Sequence, residues 1–324
     1  MNASKPKVAF YWCASCGGCE ETVVDLNEGL VEVAGLVDIV LWPVAMDFKY
    51  DDVRALPDKA ITAAFVNGAI RTDEQAHMAR LLRDKSVFLI AFGSCAHTGG
   101  IPGLANLRSR EEIFRTSYLE SPTVDNPEGV VPRTESEVDG APASLPGFWE
   151  GVHTLDQVVE VDFYLPGCPP TSELVAGAVT ALLEGRLPPK GSVLAPDKAL
   201  CDTCPRRKSK DPRARISRIY RPHEIVADPE VCFLEQGIVC CGPATRSGCG
   251  ELCINGNMPC TGCFGPPPGV TDQGAKLLTA IASLFDAATE EEAREMARQV
   301  VDPAGTFARY SVPASRIGRR RDTP

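Results

Sequence analysis

No apolar run in this sequence approaches the roughly 20 residues that a bilayer-spanning helix needs. The densest patch, VFLIAF at residues 87–92, is far shorter. The first residues, MNASKPKVAFYW, hold neither a long apolar core nor a twin-arginine pair. Nothing there marks the chain for export, and a cytoplasmic location is expected. Basic charge is in deficit: 33 Lys and Arg against 43 Asp and Glu leave a formal charge of −10. A general nucleic-acid binder would need a basic footprint instead. The locally basic RIGRRRDTP at the end of the sequence reads as a solvated tail. There is no repeat of fixed period, and no Ser/His/Asp or paired-carboxylate constellation. The glycine-rich GGIPG at 99–103 lacks G-x-G-x-x-G order and contains Pro102, which speaks against a nucleotide.

What the sequence has in excess is cysteine. Fourteen occur in 324 residues, three of them between Cys13 and Cys19 and nine between Cys201 and Cys263. Cys95 and Cys168 stand alone. In a reducing compartment a disulfide framework is the weak reading, and metal or cluster ligation the strong one.

The length leaves room for two domains, and 44% hydrophobic residues suffice for a core. Up to residue 185, compact apolar runs alternate with amphipathic segments. KVAFYW (7–12), VDIVLWP (37–43), AAFVNG (63–68), SVFLIAFG (86–93) and VDFYLPG (161–167) read as strands. Residues 21–34, 72–85 and 171–185 read as helices, with Thr72 as an N-cap and Gly185 past a C-terminus. Near-continuous apolar strands alternating with helices predict a doubly wound, flavodoxin-like parallel sheet. Residues 108–147 break the alternation and read as a surface insertion, suited to packing on a partner protein. The proline-rich LPPKGSVLAP (187–196) marks a boundary, giving domains 1–190 and 191–324. In the second, residues 197–270 have little periodicity and most of the cysteines, so bound metal is expected to stabilise an irregular domain with short helices. Helices are expected over 271–287 and 289–302.

Placing the strands makes the isolated cysteines informative. Cys16 and Cys19 follow the first strand, Cys95 the strand ending at Gly93, and Cys168 the strand ending at Gly167. All four lie just past the carboxyl ends of parallel strands, where α/β sheets bind ligands. Neighbouring glycines would let backbone approach a bulky inorganic group. Four thiolates from three loops suit one 4Fe-4S cluster; a Cys₄ zinc site also fits the count, though structural zinc favours two local pairs. Cys13 reads as a bystander. FMN is not expected, because the loop after the first strand is CASCGGC rather than Ser/Thr-rich. In the second domain the adjacent pair Cys240–Cys241 should supply one ligand, leaving eight, enough for two Cys₄ centres. Cys204-Pro205 echoes the ferredoxin Cys-Pro ligand, but the spacings do not match, and two zinc sites remain open. His97 could bond a cluster sulfide, against the plainer reading of a loop histidine satisfied by backbone. Glu20 and Glu21 suit a helix start, and could also serve proton traffic at a subunit interface.

Several motifs together resemble the small subunit of nickel–iron hydrogenases: CASCGGCEETVVDLNE (13–28), AFGSCAHTGGIPGLANL (91–107), GVVPRTESEVDG (129–140), DFYLPGCPPTSE (162–173) and CFLEQGIVCCGPATRSGCGELCINGNMPCTGCFGP (232–266). The closest likeness is to the cytosolic, methyl-viologen-reducing type that serves heterodisulfide reductase, and it covers essentially the whole chain. The first half alone is also similar to the 20 kDa subunit of respiratory complex I. The resemblance implies three 4Fe-4S clusters: a proximal one on Cys16, Cys19, Cys95 and Cys168; a medial one on Cys249, Cys253, Cys260 and Cys263; and a distal one on Cys201, Cys204, Cys232 and Cys240. The choice of Cys240 over Cys241 follows from its spacing to Cys249. Membrane-type relatives carry His at the position of Cys201, and a Pro near that of Cys253 with a 3Fe-4S cluster; this chain departs at both. The family's nickel site needs two C-x₂-C motifs on the large subunit, the second preceded by Asp-Pro and close to the C-terminus. Here Asp228-Pro229 leads only to Cys232, so hydrogen activation is expected on a large-subunit partner. Electrons would pass on to heterodisulfide-reductase-like or ferredoxin-like subunits. The alternatives are an iron–sulfur subunit of a redox complex lacking nickel, and a zinc-stabilised scaffold.

Overall fold

The computed structural model describes residues 5–316; the first four residues and most of the basic tail after Ser315 lie outside the described residues. Six parallel strands form the main sheet: β1 (Lys7–Trp12), β2 (Asp38–Leu41), β3 (Ile61–Asn67), β4 (Ser86–Phe92), β5 (Phe163–Leu165) and β6 (Ser192–Val193). Their spatial order is β2-β1-β3-β4-β5-β6, the flavodoxin-like order with one strand added at the edge. Both faces are covered, which explains the continuous apolar runs. Along β1, Val8 and Phe10 enter one core with Phe65, Phe92 and Leu182, while Ala9 and Tyr11 enter the other with Val66, Met78 and Leu82. Phe10 stacks on Phe65 at 5.2 Å between ring centres, and Phe65 meets Phe92 edge-on at 5.9 Å.

The helices expected before residue 186 are present with one difference. Residues 21–34 are split between α1 (Gly18–Val24) and α2 (Glu28–Leu36), because Asn27 takes a positive φ of 53° between them. α3 (Asp73–Lys85) starts where Thr72 accepts from the Gln75 amide at 3.2 Å, with Gln75 reaching back as a capping box. α4 (Gly93–Thr98) is a short helix directly after β4, and α5 (Ser172–Leu183) ends before Gly185, whose φ is 66°. The proline-rich segment is more than a spacer: its Ser192 and Val193 pair with Phe163 and Tyr164 as the sheet's edge strand.

The 108–147 segment is largely exposed but not shapeless. A hairpin joins Glu135–Val138 to Ala141–Ser144 through Asp139 and Gly140, both with positive φ, as a tight primed turn requires. In the second half, α6 (Gln273–Ala282) and α7 (Glu290–Arg298) occupy the expected stretches, shorter than predicted. This half does have an apolar core: Leu200, Phe233, Leu234, Ile238 and Ile254 pack with Leu277 and Ile281 of α6, among the buried cysteines. The halves are stitched together. Thr98 Oγ1 donates to the Tyr310 carbonyl at 2.6 Å, the Gly100 amide donates to the same carbonyl at 3.0 Å, and Ser94 Oγ donates to Cys263 O. Among the described residues, no helix is long and apolar enough to cross a membrane.

Candidate metal centres

The loop after β1 sits at the switch point of the strand order, where the chain leaves β1 toward one edge and later returns on its other side. Cys16 and Cys19 belong to this loop and to the first turn of α1; Cys95 lies in α4, and Cys168 follows β5. The structure brings these four together. Burial pushes the Cys95 thiol up to about 12, with Cys168 and Cys16 adding to the shift; Cys19 is raised by burial and then by Cys95, Cys168 and Cys16. Two glycines are required by this crowding. A Cβ on Gly93 would collide with Cys19 Sγ, and one on Gly100 with Cys95 Sγ, and both residues hold positive φ. Cys13 stands apart in the core beneath the sheet, its thiol facing the field of Glu74 rather than other thiols.

Cys201 lies within the helical turn Leu200–Thr203 and Cys204 directly follows it, Cys232 precedes the turn Phe233–Gln236, and Cys240 follows that turn. Burial raises Cys201 to about 12, Lys210 pulls the other way, and Cys240, Cys232 and Cys204 raise it further. A Cβ on Gly242 would lie 3.1 Å from Cys201 Sγ and 3.7 Å from Cys240 Sγ, so this glycine lets both sulfurs approach backbone. Cys249, Cys253, Cys260 and Cys263 line one cavity of about 390 Å³, shared with Cys168 and Phe264. Cys241 turns elsewhere. Its thiol donates toward Thr306 O at 3.8 Å and lines a separate cavity with Arg309 and Tyr220.

The three tetrads touch in series. Cys168 lines the same cavity as Cys249, Cys253, Cys260 and Cys263, and the amide of Cys241, next to Cys240, donates to Cys260 O at 2.9 Å. The order is therefore the sheet-edge tetrad, then the 249–263 tetrad, then the 201–240 tetrad. Among the described residues, no three His, Cys, Asp or Glu side chains are drawn together as a single metal ion would require. The donor sets fit a thiolate-bound iron–sulfur core. Each is all-cysteine, and the Cys19, Cys95, Cys201 and Cys240 thiols are raised by burial and by neighbouring thiols, the strain that a cationic core would relieve by displacing their protons.

His97 is neither in a loop nor satisfied by backbone. It lies in α4, half-buried, with Nδ1 enclosed and lacking any hydrogen-bond partner, its ring 4.8 Å from that of Tyr164; desolvation lowers it to about 4, which keeps it neutral. Glu20 is buried beside Cys19, and burial pushes its carboxyl up, against donors from Trp42 Nε1 and from Asn67 Nδ2 at 2.6 Å. Sequence reasoning did not single out Arg206, two residues past Cys204. Its guanidinium lies 3.8 Å from the Phe233 ring centre and donates to Asp228 O, Val231 O and Asn257 Oδ1, tying two cysteine loops together. Its position in CDTCPRR was the only available signal.

The chain matches the family described as NADH ubiquinone oxidoreductase, 20 Kd subunit, over residues 16–182. It is 38% identical to the iron-sulfur subunit of the F420-non-reducing hydrogenase of Archaeoglobus profundus, covering 97% of this chain and 98% of that one. It is 37% identical to a subunit of the F420-non-reducing hydrogenase of Methanothermobacter marburgensis, with 97% of each chain covered. Among solved structures, a chain of the [NiFeSe] hydrogenase from Desulfovibrio vulgaris Hildenborough shares the fold, with a TM-score of 0.53 at 16% identity over 88% of this chain and 99% of that one.

Proposed function

This chain belongs to the family of F420-non-reducing hydrogenase iron-sulfur subunits, and we propose that it is the electron relay of a nickel–iron hydrogenase complex, a subunit of an oxidoreductase rather than the seat of hydrogen activation. The observation that carries the reading is the series of three four-cysteine sets, joined where Cys168 lines the cavity of the 249–263 set and where the Cys241 amide, next to Cys240, donates to Cys260 O. Cys16, Cys19, Cys95 and Cys168 would hold the proximal 4Fe-4S cluster; Cys249, Cys253, Cys260 and Cys263 the medial; Cys201, Cys204, Cys232 and Cys240 the distal. When bound, such clusters supply one-electron sites at potentials tuned by hydrogen bonds and burial. The protein's part is to hold them in order, to exclude water around the buried thiols, and to present Cys16 at the surface, where it is exposed, to a large-subunit partner. Residues 1–190 carry the first set and 191–324 the other two, with Ser192–Val193 reaching back into the sheet. A cytoplasmic complex passing electrons to a heterodisulfide-reductase-like or ferredoxin-like acceptor is the setting that fits.

The test is co-purification of the native complex, with assays for nickel and for hydrogen-dependent dye reduction. Clusters without nickel or hydrogen-dependent reduction would transfer the relay to another redox complex.

Two substitutions probe the ligand sets. Cys240→Ala should remove about four irons, one cluster's worth, whereas Cys241→Ala should retain the full complement; equal loss from both would overturn the choice between them. Cys253→Pro should convert the medial site to a 3Fe-4S centre with an electron paramagnetic signal on oxidation. An unchanged spectrum would mean that the medial ligands are wrongly assigned.

A further inference from the structure

One surface runs against the charge of the whole chain. Between Arg206 and Arg221 there are eight Lys and Arg and a single acid, Asp211, in a protein whose formal charge is −10. The segment begins two residues after Cys204 and winds around the loop that holds Cys232. The Cys232 amide donates to Ser209 Oγ at 2.9 Å, the Tyr220 amide bonds Gly237 O at 2.8 Å, and Lys210 lies close enough to Cys201 to act on its thiol. Arg206 is buried in its clamp, but Arg207, Lys208, Lys210, Arg213 and Arg215 are exposed, and Arg218 and Arg221 extend the same surface.

Within the segment the one acid is Asp211, and the other acids nearby flank it. Asp202 caps the Ala199 amide at 3.1 Å, Glu224 the Arg221 amide at 2.7 Å, Asp228 the Glu230 amide at 2.9 Å, and Glu235 the Asp211 amide at 2.5 Å. Asp211 accepts from the Arg213 amide at 2.8 Å and sits 3.6 Å from that residue's guanidinium, the one carboxylate pair recorded for the exposed cations among the described residues. The flanking carboxylates cap backbone amides, while Arg207 Nη1 donates to Asp202 O at 3.0 Å and Arg215 Nη1 to Ala214 O at 2.9 Å, so none of these contacts pairs a cation with a carboxylate. An acidic protein approaching this chain is repelled over most of its surface and attracted here, which steers it to one orientation.

We propose that this basic rim is the docking surface for an acidic electron-carrying protein, which it seats over the Cys201, Cys204, Cys232 and Cys240 set. The proposal rests on the relay reading, in which the distal set is the exit, and adds the place and the charge of the partner.

The experiment uses the purified, iron-loaded complex with its large subunit and an acidic 2Fe-2S ferredoxin as probe. Ferredoxin binding is followed by calorimetry, and hydrogen-dependent ferredoxin reduction is compared with reduction of a zwitterionic viologen. For Lys208→Glu/Lys210→Glu, the ratio of ferredoxin to viologen reduction should fall about tenfold at low ionic strength, and the difference should fade near 1 M salt, where the Debye length is about 3 Å. Lys208→Gln/Lys210→Gln should lie between, so a folding defect in the charge-reversed protein would not decide the matter. Wild-type ferredoxin binding should itself weaken with salt. Binding and ratio unchanged by either pair of substitutions would overturn the proposal, as would loss of binding to phosphatidylglycerol vesicles with ferredoxin unaffected. Loss of viologen reduction alongside intact, charge-sensitive ferredoxin binding would count against the relay reading and uphold the docking surface.

Discussion

Replacing Cys95 by alanine is expected to remove about four of twelve irons and to cut hydrogen-dependent dye reduction on the order of a hundredfold or more. The residue is 6% exposed near the head of α4, within the field of the Cys168 and Cys16 thiols and against Gly100. Losing an outer-shell partner already costs tenfold to about a hundredfold in many metal sites, and here a direct ligand goes from the tetrad that the large subunit would face. No neighbour can substitute: Cys13 lies in the opposite core, and Gly93 and Gly100 leave no side chain to take up the position. Iron analysis with single-turnover reduction of the remaining clusters checks this. A variant with full iron and wild-type turnover would remove Cys95 from the proximal set.

The second large effect concerns the frame that holds this set. Asp162, just before β5, is fully buried. Its Oδ2 accepts from the Leu89 amide at 2.8 Å and from Arg83 at 2.5 Å, and Lys190 approaches Oδ1 at 2.5 Å. Burial raises the carboxyl, but bonds from Arg83, Lys190 and the amide outweigh it and hold the group below its ordinary value. Asp162→Ala would take the carboxylate from Arg83, whose side chain is 15% exposed and would keep only backbone carbonyls as partners, and would leave the Leu89 amide without its acceptor. Breaking a buried pair in this way costs about 3–5 kcal/mol, read as a lowered urea midpoint. The pH dependence has a definite sign. Because the folded carboxyl titrates below the unfolded value of about 3.9, its contribution is complete above that value and is lost as pH falls through the folded one. The gap between wild type and variant should therefore close on acidification; a gap that widened would contradict the ion-pair assignment.

Much of this was legible because buried parallel strands must be apolar along their whole length. Residues 7–12, 61–67 and 86–92 carried that signal, and Thr72 carried the start of α3 in its own side chain. What escaped has local causes. Ser192 and Val193 form a two-residue strand flanked by prolines, recognisable only once Phe163 and Tyr164 are beside it. The kink at Asn27 interrupts a helical spacing that Val23, Leu26 and Leu30 alone preserve. In the second half the apolar core borrows Leu277 and Ile281 from beyond the cysteine-rich stretch, so no window within 197–270 could reveal it. The sheet-edge set was readable from strand ends, whereas the series of the three sets is written in the cavity that Cys168 shares with Cys263 and in the bond from the Cys241 amide to Cys260 O, which join residues separated in sequence. His97 was misjudged because its environment is supplied by Tyr164 and by Gly265, 168 positions away.

The most direct measurement of the central claim is metal and labile-sulfide analysis of protein purified without air. Three sets of four cysteines should hold about twelve iron and about twelve sulfide per chain. Stoichiometric zinc without sulfide would contradict the relay and leave a zinc-stabilised scaffold in its place.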